Sequence, residues 1–165
     1  MVVTGLIVAL AGIAVPQYSQ IALQMRTQAA AAQVMGDVNW TRNMSLRTGV
    51  PHYINVTGDP AMVYDVHRSA NPPAIAPATD PVLRSIDLAA RMPDVDFDLN
   101  GVTLDPYGGT VSTATPGQMV FNTRGLPTAP GAFFVASEDG ATAYAISVTG
   151  AGRTRLWRRA NGDWK

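Results

Sequence analysis

The chain opens on MVVTGLIVALAGIAVP, in which every residue is apolar or small and Thr4 carries the only hydroxyl. The run lacks the basic flank of a complete secretory signal. It is also shorter than the roughly 20 residues a membrane span needs. It reads as the second half of a longer apolar helix, with a buried core helix as the alternative. Pro16 ends the run without a turn signature, since only QYSQ follows. Beyond it, Ile21, Met25, Ala29, Ala32 and Met35 fall at three- and four-residue spacing, a narrow apolar stripe. The pattern therefore predicts one helix from near residue 1 to about Thr48, kinked at Pro16 and stopped by Gly49 and Pro51. Its first half is wholly apolar and its second amphipathic. One end would sit in lipid or a helix bundle while the other packs on a globular head.

After Pro51 the period changes to that of strands. HYINVT and MVYDVH are short β-like runs, and SANPPAIAPATDP (69–81) is a proline-rich loop. VDFDLNGVTLD predicts a hairpin turning at Asn100-Gly101. QMVFN and AFFVAS predict a second hairpin around TRGLPTAPG. TAYAISVT follows a turn at Glu138-Asp139-Gly140, and a further turn over Gly150, Ala151 and Gly152 leads into RTRLWRR. The predicted fold class is α+β: residues 1–50 form the long helix, and residues 51–165 an antiparallel β domain.

Composition adds one feature. Hydrophobic residues make up 47% and charged residues 15%, and the formal net charge is zero, which argues against a generic nucleic-acid coat. The charge is unevenly placed. Residues 80–105 carry a net charge of −4 and residues 153–165 a net charge of +4, the asymmetry of an interaction surface. Eleven of the twelve basic residues are arginine, the side chain suited to forked contacts with phosphate or carboxylate. Cysteine is absent, which excludes disulfides and thiolate metal sites.

MVVTGLIVALAGIAVPQYSQ resembles the N-terminal helix of type IV pilins and pseudopilins. In that family a short leader ending in glycine precedes a mature chain that opens on a Phe-Thr-Leu-Ile-Glu-Leu type segment. Met1 of this sequence matches a position a few residues inside that helix, so the leader and the assembly glutamate do not stand in it. MVFNTRGLPTAPGAFFVAS and AYAISVTGAGRTRLW resemble the GspH/FimT branch of minor pilins. The resemblance implies a helix, including Leu6, Val8, Leu10, Ile13, Val15 and Pro16, that sits in the bacterial inner membrane before assembly and packs against other pilin or pseudopilin subunits afterwards. The β domain would be periplasmic, then exposed on the filament.

No residue pattern argues for an enzyme, and no cofactor is implied. His52 and His67 stand in predicted strands without a third ligand at suitable spacing. Asp94, Asp96 and Asp98 alternate with phenylalanine and leucine and lack the later glutamate of a calcium loop, so they read as a solvated strand face. The basic end holds the strongest candidate. In an extended strand Arg153, Arg155 and Trp157 share one side, with Thr154, Leu156 and Arg158 on the other and Leu156 in the core. Trp157 suits either stacking or the core. Arg158, Arg159 and Lys165 would extend the patch into a flexible end. Gly152, Arg153 and Arg155 match a Gly-Arg-x-Arg motif that, in FimT-type proteins, implies binding of double-stranded DNA in natural transformation. Such contacts grip the backbone without reading sequence. Neutralising roughly four phosphates predicts a salt slope of about −3.6. The alternatives are ion pairs between this tail and the acidic segment 94–105, and a structural role in a type II secretion system.

Overall fold

The computed structural model describes residues 2–57, 63–72, 74–99, 101–160 and 162–165, with side chains from Tyr18 onward. Helix α1 spans Val2–Thr48, about 70 Å at 1.5 Å per residue. Gly49 closes it in the left-handed conformation, φ 65°, its N–H donating to the Ser45 carbonyl as a C-terminal glycine cap does. Strands β1 (His52–Thr57), β2 (Val63–Arg68), β3 (Val82–Asp87) and β5 (Gln118–Phe121) form one antiparallel sheet in the order β3-β2-β1-β5. A short helix α2 (Leu88–Arg91) follows β3. Strands β4 (Val95–Asp96), β6 (Gly131–Ser137), β7 (Ala143–Val148), β8 (Thr154–Ala160) and β9 (Asp163–Trp164) form a second sheet in the order β4-β6-β7-β8-β9. The distal half of α1 packs on both sheets, and the core lies between them.

The buried face of α1 differs from the stripe the sequence predicts. Ile21 and Met25 are more than half exposed, while Ala30, Ala31, Val34 and Val38 are buried together with Thr27, Asp37, Thr41 and Ser45. A search for apolar residues at helical spacing misses this face because half of it is polar. Each of those polar groups has a partner, two of them within the helix itself. Thr27 and Thr41 donate their hydroxyls to the carbonyls four residues back. Ser45 Oγ lies 3.3 Å from the Phe121 carbonyl and accepts from the His52 N–H at 3.0 Å.

Asp37 is the charged centre of that face. Its carboxylate accepts from Tyr64 Oη at 2.6 Å and Gln33 Nε2 at 2.8 Å and pairs with Arg84 of β3. The Arg84 guanidinium also lies over the Trp40 ring, 5.4 Å from its centroid. Burial and the neighbouring carboxylate both push the Tyr64 hydroxyl pKa strongly upward, so it stays a donor.

Neither hairpin predicted in the middle of the chain forms. Asn100 is outside the described residues. A tight turn does stand beside it, with the Val102 N–H donating to the Leu99 carbonyl. The flanking segments do not pair, however: β4 pairs with β6 instead. Likewise β5 pairs with β1, and residues 122–130 carry the chain from one sheet to the other. Segment 69–81 covers the face of the first sheet away from α1. Asp80 pins it, accepting from the Ala70 and Ala76 amides and from Tyr53 Oη, and those amides hold its carboxyl below the usual range. Residues 97–117 cover the outer face of the second sheet, where Val102 packs with Phe134 and Ala145.

Candidate nucleic-acid interface

The β7–β8 hairpin carries the candidate residues. Val148 stands opposite Thr154 and Ser147 opposite Arg155, and the ladder continues to Arg153, whose carbonyl accepts from the Thr149 N–H at 3.0 Å. Alternation then sorts the side chains. Arg153, Arg155 and Trp157 share the outer face, and Leu156 packs into the main core on the helix side, as the spacing predicts. Arg153 and Arg155 are exposed. Among the described residues, no carboxylate comes within ion-pair distance of Arg153, Arg155 or Arg158. Asp37 and Asp94 are instead held by Arg84 and Arg26. Asp94, Asp96 and Asp98 are exposed.

Gly152 has a steric role. Its φ is 74°, and a Cβ there would stand 2.9 Å from the Gly125 carbonyl oxygen and 3.1 Å from Arg42 Nε. Arg42 of α1 donates to that same carbonyl at 3.0 Å. Only glycine lets the turn settle against the helix in this way. The basic hairpin is thereby braced on α1.

Trp157 belongs mainly to the second core cluster. Its Nε1–H donates to Ser147 Oγ at 2.9 Å, and Arg155 covers its ring at 5.5 Å. The exposed aromatic of this face is Tyr107, which sequence reasoning missed. It is 55% exposed and stands nearly perpendicular to the Trp157 ring with centroids 5.8 Å apart. An aromatic residue within the turn-forming DPYGG segment is the signal that points to it.

The other candidates are dispersed. Arg158 lies on the helix side of β8 and lines a cleft with Gln20, Gln24 and Asp139. Arg159 is half-buried in a hollow of about 200 Å³ beside Leu104 and Trp164. The chain end is not a loose tail: β9 returns along β8, and Lys165 exchanges both backbone hydrogen bonds with Arg158. Leu6, Val8, Leu10, Ile13, Val15 and Pro16 precede the described side chains. Among the described residues, no helix is long and apolar enough to cross a membrane.

His52 and His67 do not converge. His67 stacks on Tyr53 with centroids 4.9 Å apart, while His52 points to the opposite face of the first sheet and shares its Nδ1 with the Val50 carbonyl.

The family described as Type II transport protein GspH matches residues 30–152. The fold is similar to that of the type IV minor pilin FimU of Pseudomonas aeruginosa PAO1 in two crystal forms. One aligns at TM-score 0.55 and 15% identity over 84% of this chain and 91% of FimU. The other aligns at 0.53 and 14% over 84% and 96%. No curated protein matches the sequence. With the family match running from the helix through to Gly152, and a pilin fold beneath it, this chain belongs to the GspH family of type IV pilin-like minor pilins and pseudopilins.

Proposed function

We propose that the protein is a minor subunit of a type IV pilus that binds DNA through the β7–β8 hairpin during uptake. The N-terminal helix anchors it in the bacterial inner membrane before assembly and then packs among other pilin subunits, and the β domain faces outward. No bond is made or broken. One observation carries this reading: Arg153 and Arg155 stand two residues apart on one strand face, roughly 6.7 Å along the chain, exposed and with no carboxylate in reach among the described residues. Guanidiniums in that state suit phosphate oxygens, which they hold with forked hydrogen bonds.

Because Arg158 faces the other side, the outer face neutralises two to three phosphates rather than four. Log K is then expected to fall against log salt with a slope of about −1.8 to −2.7, roughly a ten- to fortyfold loss between 50 and 200 mM. Duplex titrations of the full chain across a salt series test this. R153Q/R155Q is expected to abolish binding while leaving stability within about 0.5 kcal/mol of the parent. Undiminished binding by the folded double variant refutes the site.

The family's description favours a second reading, a structural pseudopilin of a type II secretion system, which needs no polyanion. Absence of DNA binding by the parent chain at low salt selects it.

A further inference from the structure

Beside the arginine hairpin lies a slot of about 290 Å³, walled by Tyr107, Pro130, Ala132, Ser147 and Val148 and reaching the hairpin turn at Thr149 and Gly150. Resting on the DNA-binding reading above, we infer that this slot takes one unstacked base, so that the protein binds single-stranded DNA in preference to duplex.

Size comes first. The slot falls just below the volume range of drug-sized ligand pockets, and so suits a single planar ring. Its chemistry points the same way. Pro130, Ala132 and Val148 are apolar, and Tyr107 offers an exposed aromatic ring. Tyr107 is held in place: its Oη lies 3.3 Å from Ser147 Oγ, its ring packs perpendicular to that of Trp157, and its N–H donates to Asp105 Oδ1 at 2.8 Å. An aromatic wall held this way is ordered before a ligand arrives, which lowers the cost of binding.

Charge then separates the two parts of a nucleotide. The only ionisable acid on the slot wall is Asp105, whose carboxylate repels phosphate. Arg153 and Arg155 stand outside it on the adjoining hairpin. Backbone phosphates therefore go to the arginines and a neutral ring goes to the slot. A neutral glycan ring would gain nothing from the guanidiniums. In a duplex the bases are already stacked and paired, so the slot remains unused. A single strand can turn a base into it at little cost, and base–aromatic stacking is tolerant of sequence.

The test uses the full chain and a fluorescent oligonucleotide, single-stranded or annealed to its complement, at one low salt concentration. The single strand is expected to bind on the order of tenfold more tightly than the duplex. Tyr107→Ala should remove that preference, and Tyr107→Phe should keep it because the ring remains. Equal affinity of the parent for both forms overturns the inference, as does an unchanged preference in Tyr107→Ala; in either case duplex binding lost in R153Q/R155Q leaves the DNA reading standing. Failure of the parent to bind either form overturns both.

Discussion

Two clusters of charge in this molecule have opposite settings. At the seam between α1 and the first sheet, Asp37 is 1% exposed and its carboxylate is fully engaged by Tyr64, Gln33 and Arg84. On the outer face of the second sheet, Arg153 and Arg155 are exposed, with no acid in reach among the described residues. The first cluster is used up in holding the helix to the sheet. The second makes a single ring contact, Arg155 over Trp157, and is the one proposed to hold a ligand. Arginine and aspartate content alone cannot separate these roles. Burial and partner count can.

The sharpest way to break the comparison is at Asp37. Asp37→Ala removes the acceptor for Tyr64, Gln33 and Arg84 at once. The buried Tyr64 hydroxyl is left without its acceptor, while the half-exposed Arg84 can turn to water, so a loss of about 3 kcal/mol is expected, to be read from the urea midpoint. A loss below about 1 kcal/mol would place Asp37 among the dispensable charges. Gly152→Ala comes next. It places a Cβ in the left-handed region and against the Gly125 carbonyl, with an expected loss of about 2 kcal/mol. Arg153 and Arg155 remain present in this variant, so weakened DNA binding by the folded protein would show that their placement matters as well as their charge.

The smallest effect concerns pH. Burial, and secondarily the nearby Arg68 charge, push His52 below 6.5 despite its hydrogen bond to the Val50 carbonyl. The unfolded chain therefore takes up the proton more readily than the folded one. The stability held by neutral His52 is complete above pH 6.5 and erodes as pH falls from there toward the lowered folded value. Asp80 and Asp139 are depressed, and their contributions are lost only below about pH 4, so the two windows separate. In His52→Gln the urea midpoint should change less with pH across the upper window, and an unchanged slope would exclude His52 as the cause.

Much of the fold was legible where the signal is local. The helix end at Gly49, both strands before the proline-rich loop and the alternation along β8 all follow from spacing and turn chemistry. The misses share a cause, which is pairing between segments far apart in sequence. Nothing within QMVF says that it joins HYINVT rather than GAFFVAS. Strand β3 hides for another reason: VLRSID is exposed at five of its six positions and shows no alternation. The helix face misleads because half of it is polar: Thr27 and Thr41 turn their hydroxyls onto the helix's own carbonyls, while Asp37 and Ser45 meet partners that only the assembled fold supplies. In the candidate site, the arginines and Gly152 could be read, and the alternation put Trp157 on their face. Tyr107 could not be placed, because its slot is built from β6, β7 and a loop some 25 to 40 residues earlier in the chain.

The contact of Gly152 with Gly125 and Arg42 also has a mechanical meaning. On the DNA-binding proposal, a polymer pulled away from Arg153 would load the turn of the β7–β8 hairpin, and that turn packs against the Gly125 carbonyl and the Arg42 side chain of α1. Part of that tension would then reach α1 through the Gly125 carbonyl and the Arg42 side chain. The hairpin would therefore act as a lever on the helix, with its load shared between helix and sheet.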